Sequence, residues 1–176
     1  MTNRENLKNT KVLVVGFGRS GIAAAQALLK LKAKVYIQDS KMENSFDQNL
    51  ITFFKGQGAE FYLNSFPHDM ETFDLLVLSP GVSPELPFIR DAVSKGVEVI
   101  GELEIAYRIG KGNYIAITGT NGKTTTTTLV GEIFKLSGRK TSVVGNIGIA
   151  VISASADAEE NDWLVTECSS FQLETT

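Results

Sequence analysis

Residues 114–128 read Y-I-A-I-T-G-T-N-G-K-T-T-T-T-T. A short apolar stretch runs into a glycine turn, a lysine and a run of hydroxyls. Residues 129–136 that follow are amphipathic with a helical period. That order suits a grip on a nucleotide triphosphate. Glycine lets backbone N–H groups close on phosphate oxygens, and the helix N-terminus adds partial positive charge. Lys123 can neutralise charge on the outer phosphates, and the Thr124 hydroxyl can ligate Mg²⁺. The loop is a shortened form, Gly119-Thr120-Asn121-Gly122-Lys123-Thr124, with Ile117 standing where a longer phosphate loop carries its first glycine. The plainer alternative is a βα turn with an exposed lysine. The order of strand, turn and helix favours the phosphate grip.

A second glycine cluster, Gly16-Phe17-Gly18-Arg19-Ser20-Gly21, follows a short apolar run and opens an Ala/Leu-rich helical stretch. This is G-x-G-x-x-G in strand–turn–helix context, and Asp39 closes the next strand-like run. A carboxylate there can accept hydrogen bonds from a ribose or a base edge. Taken alone, the motif suits NAD, FAD or a uridine nucleotide, since each presents a diphosphate to the same helix end. Ser79-Pro80-Gly81-Val82 follows another strand and serves equally well as a structural turn or as part of a ligand-binding edge. Glu102 and Glu104 are read as first-turn acids that complement a helix dipole rather than as a catalytic pair.

These loops need a frame, and the chain alternates strand-like and helix-like segments, which predicts an α/β fold with parallel strands. Strands are expected at 11–15, 34–38, 60–63, 74–78, 97–100, 114–117, 141–144 and 163–167. Helices are expected at 20–31, 48–57, 87–95, 102–109, 129–136 and 149–155. Gly110-Lys111-Gly112-Asn113 is the natural linker. Residues 1–110 are therefore assigned to a Rossmann-like parallel-sheet domain, and 111–176 to the beginning of a P-loop ATPase α/β domain. Only two strands accompany the nucleotide strand in the second part. A phosphate-loop domain needs a larger sheet, so the chain is read as the N-terminal part of a longer protein.

Composition narrows the function classes. The 176 residues are 43% hydrophobic and 21% charged, with a net charge of -3 and no basic run. No nucleic-acid face, signal peptide or membrane span is suggested. One cysteine, Cys168, permits no internal disulfide and suits a reducing cytoplasm. With one histidine, His68, in a polar stretch, a structural zinc site is not expected.

Taken in order, the G-x-G-x-x-G domain, I-T-G-T-N-G-K-T-T, G-N-I-G and T-E-C-S-S-F-Q-L-E resemble the Mur ligases over essentially the whole chain. The last segment is the narrower marker, for addition of D-glutamate. The resemblance implies an ATP- and Mg²⁺-dependent ligase of peptidoglycan precursor synthesis. It would join D-glutamate to UDP-N-acetylmuramoyl-L-alanine through an acyl phosphate, as a cytoplasmic monomer. It also implies site residues. Gly18, Arg19, Ser20, Asp39, Ser40 and Gly81 would hold the uridine diphosphate part. Gly119, Thr120, Asn121, Gly122, Lys123, Thr124 and Thr125 would hold ATP. Lys123 and Glu167 would be catalytic, with Thr124 and Glu167 on the metal. Asn146, Ser169, Ser170 and Gln172 would border the muramoyl end. The family's histidine and carbamylated lysine cannot be placed among these residues, so the chain alone is expected to be inactive. A nicotinamide oxidoreductase and a non-catalytic nucleotide-binding module are the competing readings. The second loop and Glu167 have no use in the first of these.

Overall fold

The computed structural model describes residues 6–174, which form two compact units, 6–101 and 102–174. The first runs β1 (Lys11–Val15), α1 (Arg19–Lys30), β2 (Lys34–Asp39), α2 (Gln48–Gly56), β3 (Glu60–Leu63), β4 (Leu75–Leu78), α3 (Pro87–Ser94) and β5 (Glu98–Gly101). Its strands are all parallel, in the order β3-β2-β1-β4-β5. All five strands expected from the sequence form, and the helix ends fall within a residue or so of expectation.

The apolar runs explain the layering. Val12, Leu13, Val14 and Val15 are all buried, as a central parallel strand covered on both faces requires. Leu13 and Val15 join Leu76, Leu78 and the α3 residues Ile89 and Ala92 in one core. Val12 and Val14 alternate to the opposite face. Small residues of α1 (Gly21, Ala23, Ala24, Ala25, Ala27) are buried and let that helix lie close to the sheet. The order reverses where β1 meets β4, so the crevice above their carboxyl ends carries the first glycine loop.

The second unit runs α4 (Glu102–Ile109), β6 (Asn113–Ile117), α5 (Lys123–Leu136), β7 (Thr141–Gly145), α6 (Val151–Asp157), β8 (Trp163–Glu167) and α7 (Ser170–Leu173). Its sheet is also parallel, in the order β6-β8-β7, so the last strand inserts between the first two. The threonine run falls inside α5, and Lys123 and Thr124 stand in its first turn. Residues 149–155 were expected to be helical. The helix begins at Val151, because Ile149 instead bridges to Val144. The stretch Leu129, Ile133 and Leu136 leaves an exposed apolar stripe on α5. Among the described residues no helix is long and apolar enough to cross a membrane.

α4 precedes the glycine-rich stretch at 110–113, yet it packs within the second unit, against α6. Tyr114 fastens it there. Its phenol oxygen lies 2.9 Å from the Ala106 carbonyl and 2.8 Å from Ser155 Oγ, while Ser155 donates to the Val151 carbonyl at 2.8 Å. Burial pushes the Tyr114 phenol above its ordinary value, the Ser155 bond working against that shift and the Tyr107 ring adding to it.

Two outcomes follow from this packing. The folded state favours the protonated phenol. Its stabilising contribution is therefore complete below the unfolded value of 10.0 and is lost as pH rises through the higher folded value. Denaturant midpoints measured above pH 10 should fall more steeply for the unaltered chain than for Tyr114→Phe; parallel curves would contradict the assignment. A side chain at Gly21 would overlap the Gly16 carbonyl oxygen, whereas one at Gly18 meets nothing within 4 Å. Gly21→Ala should therefore cost about 1–3 kcal/mol in urea unfolding, and Gly18→Ala at most about 1 kcal/mol.

Candidate functional site

Each unit ends its strands at a glycine-rich rim. In the first, Gly16 takes φ +92°, with its N–H donated to the Gln38 carbonyl at 2.7 Å. Gly18 caps α1 without any side-chain bond to the helix. Arg19 and Gly18 are exposed and Ser20 half-buried at the helix opening, while Ser40 and Gly81 are exposed beside the neighbouring strand ends. Asp39 is engaged locally: its carboxylate accepts the Phe17 N–H at 2.7 Å and the Lys41 N–H at 2.9 Å. The structure thus brings the expected diphosphate-binding residues to one carboxyl edge. It also gives Asp39 a partner that the sequence did not disclose.

In the second unit the parallel register does the positioning. Ile117 at the end of β6 and Gly145 at the end of β7 both pair with Glu167 at the end of β8. Glu167 therefore stands beside the strand that feeds the Gly119–Thr124 loop. Gly145 makes the close approach possible. It adopts φ +104°, and a β-carbon there would overlap the Glu167 carbonyl oxygen. That carbonyl accepts the Asn146 N–H at 3.0 Å, which fixes the exposed Asn146 next to the same rim.

The loop itself turns through Gly119 at φ +150° and Gly122 at φ +76°, conformations that L side chains avoid. Gly122 caps α5 with no side-chain bond. The Thr126 N–H donates to the Gly122 carbonyl at 2.9 Å. The N–H groups ahead of it have no carbonyl of the helix to bond, which suits an anion at this end. Thr120, Asn121, Thr124 and Thr125 are exposed around it. The Lys123 ammonium folds over its own loop, 2.7 Å from the Gly119 carbonyl and 3.5 Å from that of Thr120.

Glu167 closes β8 at the same rim. It is 5% exposed, and its Oε2 is buried without a hydrogen-bond partner. A buried carboxylate oxygen left bare is costly, and a cation answers it. A hard divalent ion with oxygen ligands suits a carboxylate at the rim that carries a phosphate loop. Among the described residues no group of three or more His, Cys, Asp or Glu converges to cage a metal. An ion here would draw its remaining ligands from water and a bound phosphate. The residues present fit Mg²⁺ held with a nucleotide.

The segment after β8 is more structural than expected. Ser169 and Gln172 form a capping box on α7: Ser169 Oγ accepts the Gln172 N–H at 3.3 Å, and Gln172 Oε1 accepts the Ser169 N–H at 2.8 Å. The S-x-x-Q spacing carries that signal in the sequence. Ser170 is exposed in the first turn. Cys168 is buried, with its N–H on the Ile117 carbonyl at 3.0 Å. Burial and the Glu167 charge raise its thiol above the ordinary value, which marks it as inert.

Known proteins converge on the same architecture. The family described as Mur ligase MurD-like, N-terminal domain matches residues 10–101, and the Mur ligase middle domain matches 117–176. A relative from Alkaliphilus oremlandii named UDP-N-acetylmuramoylalanine--D-glutamate ligase is 47% identical over 172 residues, covering 96% of this chain and 38% of that protein. A protein of the same name from Thermoanaerobacter sp. (strain X514) is 49% identical, with 96% and 37% covered. The chain thus spans well under half the length of these relatives. A pseudomurein peptide ligase type C from Methanothermus fervidus shares the fold, with a TM-score of 0.53 and 24% identity over 92% of this chain and 33% of that one. With two Mur ligase domains matched in series along two parallel-sheet units, this chain belongs to the Mur ligase family.

Proposed function

We propose that this chain forms the substrate-handle and ATP-binding part of a cytoplasmic, monomeric ligase that adds D-glutamate to UDP-N-acetylmuramoyl-L-alanine, forming ADP. The observation that carries the reading is the buried Glu167 carboxylate, its Oε2 without a hydrogen-bond partner, beside the strand that feeds the Gly119–Thr124 loop, within a chain 47% identical to a ligase of that name.

The chemistry is an amide synthesis from a carboxylate, which needs activation because oxide is a very poor leaving group. ATP, when bound, supplies the phosphoryl group that turns the carboxylate into an acyl phosphate with release of ADP, and the amine of D-glutamate then attacks the acyl carbon, expelling phosphate and losing a proton. The protein's part is alignment and charge neutralisation rather than a nucleophile. The loop amides from Gly119 to Thr125 cradle phosphate oxygens. Lys123 leaves its carbonyl contacts to lie along the outer phosphates. Thr124 and Glu167 would hold Mg²⁺, which would neutralise phosphate charge. In the first unit, Gly18, Arg19 and Ser20 take the diphosphate at the opening of α1, with Asp39, Ser40 and Gly81 around the uridine end. Asn146, Ser169, Ser170 and Gln172 border the muramoyl end. Handle binding remote from the reacting carboxylate adds positioning energy.

A chimera tests the function: this chain fused to the remaining C-terminal portion of the Alkaliphilus oremlandii relative. Phosphate release from ATP should require both UDP-N-acetylmuramoyl-L-alanine and D-glutamate. Release with another amino acid in place of D-glutamate would move the acceptor assignment. No release, from a folded chimera whose parent is active, would defeat the reading.

Two substitutions resolve the roles. Lys123→Ala should weaken ATP binding on the order of 10–100-fold, the worth of a charge-assisted contact, and leave binding of the uridine substrate unchanged. Glu167→Gln replaces a carboxylate whose buried Oε2 has no hydrogen-bond partner. It should hold or raise the unfolding temperature while cutting the Mg²⁺-dependent gain in ATP affinity by about tenfold or more. Unchanged Mg²⁺ dependence would remove Glu167 from the metal site.

A further inference from the structure

The Gly16–Phe17 peptide is gripped at both ends. Its carbonyl oxygen accepts a hydrogen bond from Ser79 Oγ at 2.9 Å, and its N–H donates to Asp39 Oδ2 at 2.7 Å. The two side chains come from opposite neighbours of β1: Asp39 closes β2, and Ser79 follows β4. The other Asp39 oxygen takes the Lys41 N–H at 2.9 Å, so this carboxylate is spanned by two backbone donors. The Phe17 ring is 2% exposed and sits among Phe46, Phe54 and Phe61, with ring centroids 5.3–5.5 Å away. Ser79 is also the side chain nearest to Gly16, where any β-carbon would press on it.

A peptide plane fixed at its carbonyl, its N–H and the following side chain has no rotational freedom left. The next residues, Gly18, Arg19 and Ser20, open α1, whose glycine cap makes no side-chain bond. The direction of their amides is set by the plane before them. The Phe17 N–H is taken by Asp39 and does not face a ligand.

We propose that Asp39 and Ser79 are positioning residues that clamp the Gly16–Phe17 peptide and so aim the opening amides of α1 at a diphosphate. This rests on the reading that the first loop takes the uridine diphosphate handle. It assigns Ser79 a role that its place in a turn did not suggest. It also makes the first duty of Asp39 the loop rather than the ribose or base.

The test uses the 176-residue chain, UDP-N-acetylmuramoyl-L-alanine as the probe, calorimetry, and the Phe17 amide resonance in an ¹H–¹⁵N spectrum. Ser79→Ala and the near-isosteric Asp39→Asn should each weaken binding about three- to tenfold. The double variant should be little worse than the weaker single one, because both act on one peptide. Both single changes should move the Phe17 amide upfield, since loosening either end depolarises the same group. Mg·ATP affinity should stay constant in all three variants, which shows that they are folded. Losses that multiply in the double variant, or a Phe17 amide unmoved by Ser79→Ala, overturn the clamp while leaving the site in place. A unaltered chain that binds no uridine probe overturns the handle reading and the clamp with it.

Discussion

A carboxylate buried at the end of β8 with one oxygen unanswered is the constraint around which the second unit is arranged. In a parallel sheet every strand delivers its last residue to the same rim. Inserting β8 between β6 and β7 places Glu167 level with the end of the strand that feeds the phosphate loop. Gly145 gives up its side chain so that β7 can lie against the Glu167 carbonyl. A buried oxygen without a hydrogen-bond partner costs stability, and a cost of that kind is more readily kept at a site than in a core.

The helix openings tell a related story. α2 and α7 satisfy their first turns with their own side chains, Asp47 and the Ser169–Gln172 box, and α3 opens on a proline that has no N–H to satisfy. α1 and α5, the two long helices behind the glycine loops, have glycine caps and no side-chain bond. The short α6 also lacks one. An uncapped N-terminus at a glycine turn keeps its donors for a phosphate. The two units thus repeat one device, a strand, a glycine turn and an open helix end. The first loop is locked by neighbouring strands through Asp39 and Ser79. The second is held by its own lysine over Gly119 and Thr120.

Much of this was legible in the amino-acid sequence because it is local. Alternation of apolar runs with helical periods located all eight strands, and glycine spacing located both loops. What the sequence withheld is non-local. Nothing in residues 163–167 says that their strand enters between its predecessors, since strand order depends on pairing across the whole unit. Tyr114 gives no local sign that its hydroxyl ties α4 to α6, and Asp39 gives none that its carboxylate faces a loop amide rather than solvent. The box at Ser169 is local and is written in the S-x-x-Q spacing.

Paramagnetic relaxation offers the most direct view of the central claim, the metal beside the phosphate loop. Mn²⁺ in place of Mg²⁺, added to the ¹⁵N-labelled chain with a non-hydrolysable ATP analogue, broadens amide signals near the ion. The Thr124 and Glu167 amide signals should be lost, with nucleotide required for the effect at low Mn²⁺. Broadening that spares Glu167, or that is centred on another part of the chain, would contradict it.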